Sequence, residues 1–229
     1  MRRHLITALS LVGIFAATTA PATAQSFKSS IGWNAGALFA TSLNDGASGG
    51  EGLVDLKPDV TWAAGVHYDH WTGAGHIGFR VQGGLARQEL DWIQGPRGIY
   101  VYTADLDLML RPAAPTPGRT LLPFLAGGVG LIRWELGTGS TTTFNSAGAS
   151  YAGDEKFQLV ALGGLGFDYV TPFQWGEGPV VIRLEGRDHI QFDSPFDPIN
   201  PEASDFGMIH NISVVLGFHT GMGLLGGER

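Results

Sequence analysis

Arg183, Glu185 and Arg187 recur at every second position, and Asp105 and Asp107 share the same spacing nearer the N-terminus. Side chains two apart lie on one face of an extended strand, so each set would project its charge in one direction. Arg80 with its near neighbour Gln82, Arg133 with Glu135, and Asp168 complete the charged candidates. Mixed charges of this kind support two sorts of work. Paired, arginines and carboxylates neutralise one another and fill an enclosed space, as buried charges must; unpaired, they line a narrow polar conduit that selects small solutes. Pairing is the expectation here.

Histidines are the only catalytic candidates. His189 and His210 could meet at the end of two neighbouring strands, with Asp188 and either Ser194 or Ser213 nearby in sequence. A nucleophile, base and acid act only when geometry brings them together, and spacing along the chain does not establish that. No local signature of a hydrolase accompanies them, so no catalytic residue is expected. Gly128 and Gly130, like Gly164 and Gly166, begin a Gly-x-Gly pattern, but Arg133 and Tyr169 stand where the third glycine of a phosphate-cradling turn would be. The stretch from Asn44 to Gly52 has acidic oxygens without the spacing of a calcium loop. Asn211-Ile212-Ser213 matches a glycosylation triplet only formally. There are no cysteines, hence no disulfide framework and no thiolate metal site. No metal or cofactor is expected. The net charge of -7 with scattered lysine and arginine lacks the basic footprint that a phosphate backbone requires, so nucleic acid is not an expected partner.

The elements that would position these charges are strands. After Lys57 no segment sustains helical spacing of apolar residues, whereas several alternate with period two. Val60, Trp62, Ala64, Val66 and Tyr68 fall on one face, with Thr61, Ala63, Gly65, His67 and Asp69 on the other. Similar strands are predicted near Ile31 to Leu43, His76 to Glu89, Tyr100 to Arg111, Leu122 to Glu135, Gln158 to Val170, Val180 to His189 and Met208 to His219. The count is about eight, each long enough for the roughly 9–11 residues that a tilted strand needs to cross a bilayer. Long connections (Asn44 to Asp59, Leu90 to Ile99, Leu136 to Phe157, Ile190 to Gly207) alternate with shorter ones rich in Gly and Pro (Trp71 to Gly75, Pro112 to Gly118, Thr171 to Pro179). That order suits an up-and-down barrel with its termini and short turns in the periplasm and its long loops outside. The loop from Phe192 to Asp205 either engages a partner or covers the mouth, or is a solvated loop stiffened by Pro195, Pro198 and Pro201.

Alternation alone does not fix which face points inward, because a soluble ligand-binding barrel also alternates but keeps its apolar face inside. The apolar faces here carry no charge through mid-strand, as in Ile77, Phe79, Val81, Leu85 and in Leu106, Leu108, Leu110. Tryptophan decides for the membrane: none is mid-strand, and Trp33, Trp62, Trp71 and Trp134, joined by Phe218, are expected to form interfacial aromatic girdles at headgroup level. The predicted fold is all-β, a transmembrane up-and-down antiparallel barrel, with Arg80, Asp105, Asp107, Arg133, Glu135, Asp168, Arg183, Glu185 and Arg187 as its lumen charges.

The N-terminus carries Arg2, Arg3 and His4, then an apolar run from Leu5 to Ala17, then Ala22-Thr23-Ala24. These are the parts of an export signal, too short to span as a helix, with cleavage expected before Gln25. Residues 1–24 are therefore read as a signal peptide and 25–229 as one barrel domain with a short C-terminal tail.

The stretch Leu122-Pro123-Phe124-Leu125-Ala126-Gly127-Gly128-Val129-Gly130, the Leu184-Glu185-Gly186-Arg187 run and the closing His210-Asn211-Ile212-Ser213-Val214-Val215-Leu216-Gly217-Phe218 resemble strands of the small outer-membrane β-barrel proteins related to the outer membrane protein A transmembrane domain. The resemblance covers essentially the whole mature chain. It implies a monomeric outer-membrane barrel with a structural, adhesive or protective, or small-pore role, embedded among lipid and lipopolysaccharide and inserted by the barrel assembly machinery. In that family the chain commonly ends on an aromatic residue; here Phe218 is followed by further residues from His219 to Arg229. A lipid A-modifying barrel enzyme and a soluble periplasmic lipocalin-like barrel are the alternative expectations.

Overall fold

Large apolar side chains at every second position give each strand one face that water does not suit, and closing such strands edge to edge satisfies their backbone groups without leaving an exposed edge. In the computed structural model, eight strands close in this way: β1 (Ser29–Ala40), β2 (Thr61–Thr72), β3 (Ile77–Leu90), β4 (Arg97–Leu110), β5 (Leu121–Leu136), β8 (Phe157–Trp175), β9 (Gly178–Gln191) and β11 (Ile209–Gly221). Their order around the barrel is β1-β11-β9-β8-β5-β4-β3-β2, and every neighbouring pair is antiparallel. The structure describes residues 29–41, 59–72, 75–90, 97–113, 115–116, 118–136, 143–146, 149–153, 157–175, 178–192, 196–198 and 208–221. No helix occurs among them. The predicted signal peptide and the residues after Gly221 lie outside the described residues, as do Asn44 to Gly52 and Ser194.

All eight predicted strands are present, with shifted ends. β8 runs on to Trp175 rather than stopping at Val170, past an irregularity between Val170 and Gln174, so the connection to β9 is short. The predicted long connection between β3 and β4 shrinks because both strands extend together as far as the Leu90–Arg97 pair. β11 continues to Gly221, placing Phe218 and His219 within the strand rather than at its end. The loops between β5 and β8 and between β9 and β11 are not wholly irregular: β6 (Thr143–Ser146), β7 (Ala149–Gly153) and β10 (Phe196–Pro198) form a separate three-stranded sheet, β10-β7-β6. Within the loop predicted from Phe192 to Asp205, β10 thus pairs by its backbone with β7.

The barrel is the reverse of a soluble one. Leu106, Leu108, Leu125, Leu165 and Val66 are all exposed on the outside, Leu165 at 64%, while Arg80 and Arg183 are completely buried within. Exposed leucines in a continuous outer band require hydrocarbon around them, and charges within require partners. This arrangement excludes the lipocalin-like alternative, which needs its apolar face inside.

Candidate functional site

β9 carries Arg183, Glu185, Arg187, His189 and Gln191 at alternate positions, and every one is buried inside the barrel. Its ring position puts β2, β3 and β4 on the facing wall. Arginine is long enough to cross so narrow a lumen, and its planar fork can hold more than one carboxylate. Arg80 on β3 donates from Nε to Asp69 Oδ1 at 2.8 Å and from Nη1 to both oxygens of Glu185 at 2.8 Å. Arg183 holds Asp168 on the adjacent strand through Nε at 2.6 Å and Nη2 at 2.9 Å, and reaches across to Asp69 Oδ2 at 2.7 Å. Arg187 donates to Asp105 at 2.8 Å, to Asp107 at 2.6 Å and to Glu185 at 3.0 Å. Arg111, just past β4, contacts Asp168 at 2.5 Å and lies 3.6 Å over the Trp71 ring. Phe124 presents its ring to two guanidiniums, 4.6 Å from Arg183 and 5.6 Å from Arg80.

Glycines on the wall make the space. A β-carbon on Gly130 would stand 2.5 Å from Asp105 Oδ1, and one on Gly128 only 2.0 Å from the Leu106 carbonyl oxygen. The glycines once considered for a phosphate turn are strand residues that let the ion pairs and neighbouring backbone close in.

Apolar packing seals the network on both sides. At the end of the short turns, Leu122, Val170 and Val181 cluster together, with Trp71, Met109 and Phe124 above them. Toward the long loops the lumen fills with Ile99, Val101, Ile132, Trp134, Val160 and Leu162, among others. Trp134 Nε1 donates to Gln191 at 3.2 Å, and Gln191 in turn donates to Gln158. Side chains thus occupy the interior along its length, as eight-stranded barrels allow.

The predicted lumen charges separate into two groups. Arg80, Asp105, Asp107, Asp168, Arg183, Glu185 and Arg187 are buried inside and joined. Arg133 and Glu135 are not in the lumen: on β5 the inward positions are Leu122, Phe124, Gly130, Ile132 and Trp134, so Arg133 and Glu135 share the outer face with Leu125 and Val129. They sit at the loop end of that strand, where a charge can reach headgroups and water, and Arg133 lies 5.5 Å from the exposed ring of Phe157. The aromatic assignment needs a matching correction. Trp33 and Trp62 are exposed on the outer face, and Phe218 packs on Trp33 at 5.1 Å between ring centroids. Trp71 and Trp134 are only 4% and 2% exposed and belong to the interior, because they share strand parity with Asp69 and Ile132. Phe157, Phe173 and Trp175 join the outer aromatics instead.

Several interior residues were not counted in the predicted lumen set. Asp69, His67 and Trp71 follow from the polar parity of β2, and Arg111 from the parity of Asp105 and Asp107 on β4. His219 was the last residue of the predicted strand from Met208 to His219, on the parity of Asn211 and Ser213, and was not singled out. The histidines considered for catalysis lie on opposite faces. His189 is inside, 3.1 Å from Asp105, and His210 is half-buried outside, 2.7 Å from Asp188. Ser213 is buried inside, so His210 has no access to it.

No protein-family model matches the chain, and no curated protein matches it. Solved structures do. Neisserial surface protein A (NspA) shares the fold with a TM-score of 0.57 at 10% identity, over 85% of this chain and 97% of that one. The outer membrane protein OprG from Pseudomonas aeruginosa aligns with a TM-score of 0.51 at 13% identity, over 86% of this chain and 98% of that one. At such identities the likeness establishes the fold: this chain is an eight-stranded antiparallel barrel of the small outer-membrane type.

Proposed function

We propose that the protein is a monomeric integral barrel of the bacterial outer membrane, exported by its N-terminal leader, with a closed lumen and a structural, adhesive or protective role carried by its outward loops. One observation carries this reading: the outer face is apolar while the lumen is crossed by a paired charge network between two apolar layers. A filled interior favours a rigid platform over a conduit, which argues against the small-pore expectation. The described names of the similar structures, a surface protein and an outer membrane protein, agree with this reading. Lipid and lipopolysaccharide would surround the apolar band, and the barrel assembly machinery would insert it. No catalytic step is assigned to any residue.

The test is to express the full chain in a Gram-negative host, isolate outer membranes and compare gel mobility with and without boiling. A faster unboiled band in the outer-membrane fraction is expected, together with no discrete conductance steps when the purified barrel is added to planar bilayers. A soluble periplasmic protein without a mobility shift would overturn the membrane assignment, and regular conductance steps would overturn the closed lumen.

A further inference from the structure

β1 runs between β2 and β11, and its Gly32 lies opposite both His67 and His219. A β-carbon at Gly32 would fall 2.7 Å from His67 Nε2 and 2.5 Å from the His219 β-carbon. With no side chain between them, the two imidazoles close over the glycine, ring centroids 5.8 Å apart at 62°. Asp69 follows His67 by two positions on the same inner face. One ligand atom from each of His67, Asp69 and His219 lies within 4.8 Å of the others.

The bonding of these groups is incomplete in a way that points to an occupant. His67 is 2% exposed and neither of its ring nitrogens has a hydrogen-bond partner. His219 is held through Nδ1 by Ser30 Oγ at 3.0 Å, which leaves Nε2 without a hydrogen bond, 3.5 Å from Asp168 Oδ1. Burying an imidazole with nothing to bond is costly, and metal-bound histidines are commonly oriented by a hydrogen bond on the ring nitrogen that is not the ligand. Charge agrees. Among the described residues, Arg80, Arg111, Arg183 and Arg187 are buried with Asp69, Asp105, Asp107, Asp168 and Glu185, so four guanidiniums meet five carboxyl groups.

Two imidazoles with one carboxylate, and no thiolate, suit a borderline first-row cation better than calcium or magnesium, which take oxygen ligands. From this we infer that His67, Asp69 and His219 form a lumen site for a divalent cation of the zinc class, with three protein ligands and water completing its shell. Arg80 and Arg183 orient Asp69 by holding both its oxygens, and their positive charge sets the affinity below that of a dedicated zinc protein. The inference goes beyond the structural role proposed above and does not depend on it.

The full chain is refolded in detergent, stripped with a chelator and titrated with Co2+, then with Zn2+, with metal also supplied during refolding in parallel. One tightly bound Co2+ per barrel is expected, with a visible absorption band that Zn2+ abolishes. His67→Ala and His219→Ala should each weaken binding at least tenfold while His189→Ala leaves it intact, all three still showing the heat-dependent gel shift. No binding by the folded wild type, or equal binding by the His67 and His219 variants, would overturn the site. Should either variant fail to fold, X-ray absorption of the Zn2+-loaded wild type decides: two imidazoles in the shell are expected, and a shell of oxygen alone overturns the assignment.

Discussion

Arg80 touches Asp69 and Glu185 from a position with no exposure at all, so its removal strands charge where water does not reach. Replacing it by methionine keeps the volume and deletes the cation. Breaking a buried pair typically costs about 3–5 kcal/mol. Because Asp69 keeps Arg183 and Glu185 keeps Arg187, we expect about 3 kcal/mol for Arg80→Met, measured by urea unfolding in lipid vesicles with the gel shift as readout. Removing Glu185 as well, as the double variant Arg80→Met/Glu185→Leu, should cost less than the two single changes summed, since each removes a partner of the other. These charges were largely legible in sequence. Arg183, Glu185 and Arg187 fall on one parity in a strand whose other face is apolar as far as Asp188. Arg133 and Glu135 were misread because charge was taken to mean lumen; at the end of a strand the outer face also reaches water, and the parity of the buried Ile132 and Trp134 was the stronger guide.

At the scale of the strand, parity decides where each tryptophan goes, and it can be tested directly. Single-tryptophan variants in vesicles of brominated lipid should show strong quenching for Trp33 and Trp62 and weak quenching for Trp71 and Trp134, which are buried inside. Nearness to a strand end misled the sequence reading for the last two, because an indole there can serve either an outer girdle or an inner plug. β5 offers a second test. A β-carbon on Gly128 would meet the Leu106 carbonyl oxygen at 2.0 Å, so Gly128→Val should lower the fraction of chain that reaches the fast-migrating form, whereas Gly163→Val, with nothing near its added β-carbon, should not. The short strands β6, β7 and β10 could not have been found by periodicity. They hold between three and five residues, and β10 joins its partner β7 from a different loop, with β8 and β9 between them in sequence.

For the whole molecule, the period-two pattern and the charge-free outer faces carried the fold, down to the number of strands and their inside-out polarity. What they left open was the content of the interior. β4 is apolar on both faces toward the loops, with Ile99 and Val101 inward and Tyr102 outward, so no alternation of polarity marks the inner plug there. The plug makes a prediction of its own: Trp134→Ala/Ile132→Ala should destabilise the barrel by several kcal/mol through the cavity it leaves. It should still give no conductance steps, because the ion-pair layer remains beneath it.

The crosswise pairing of β9 bears on how the barrel comes to exist. Until β9 stands opposite β2, β3 and β4, Arg80, Arg183 and Arg187 lack the partners that face them across the lumen. A sheet with some strands inserted and its ends still apart would leave those guanidiniums only their partners on the same or the adjacent strand. Insertion and closure are therefore expected to be coupled, the finished ring being the form in which every one of these guanidiniums has its full set of partners.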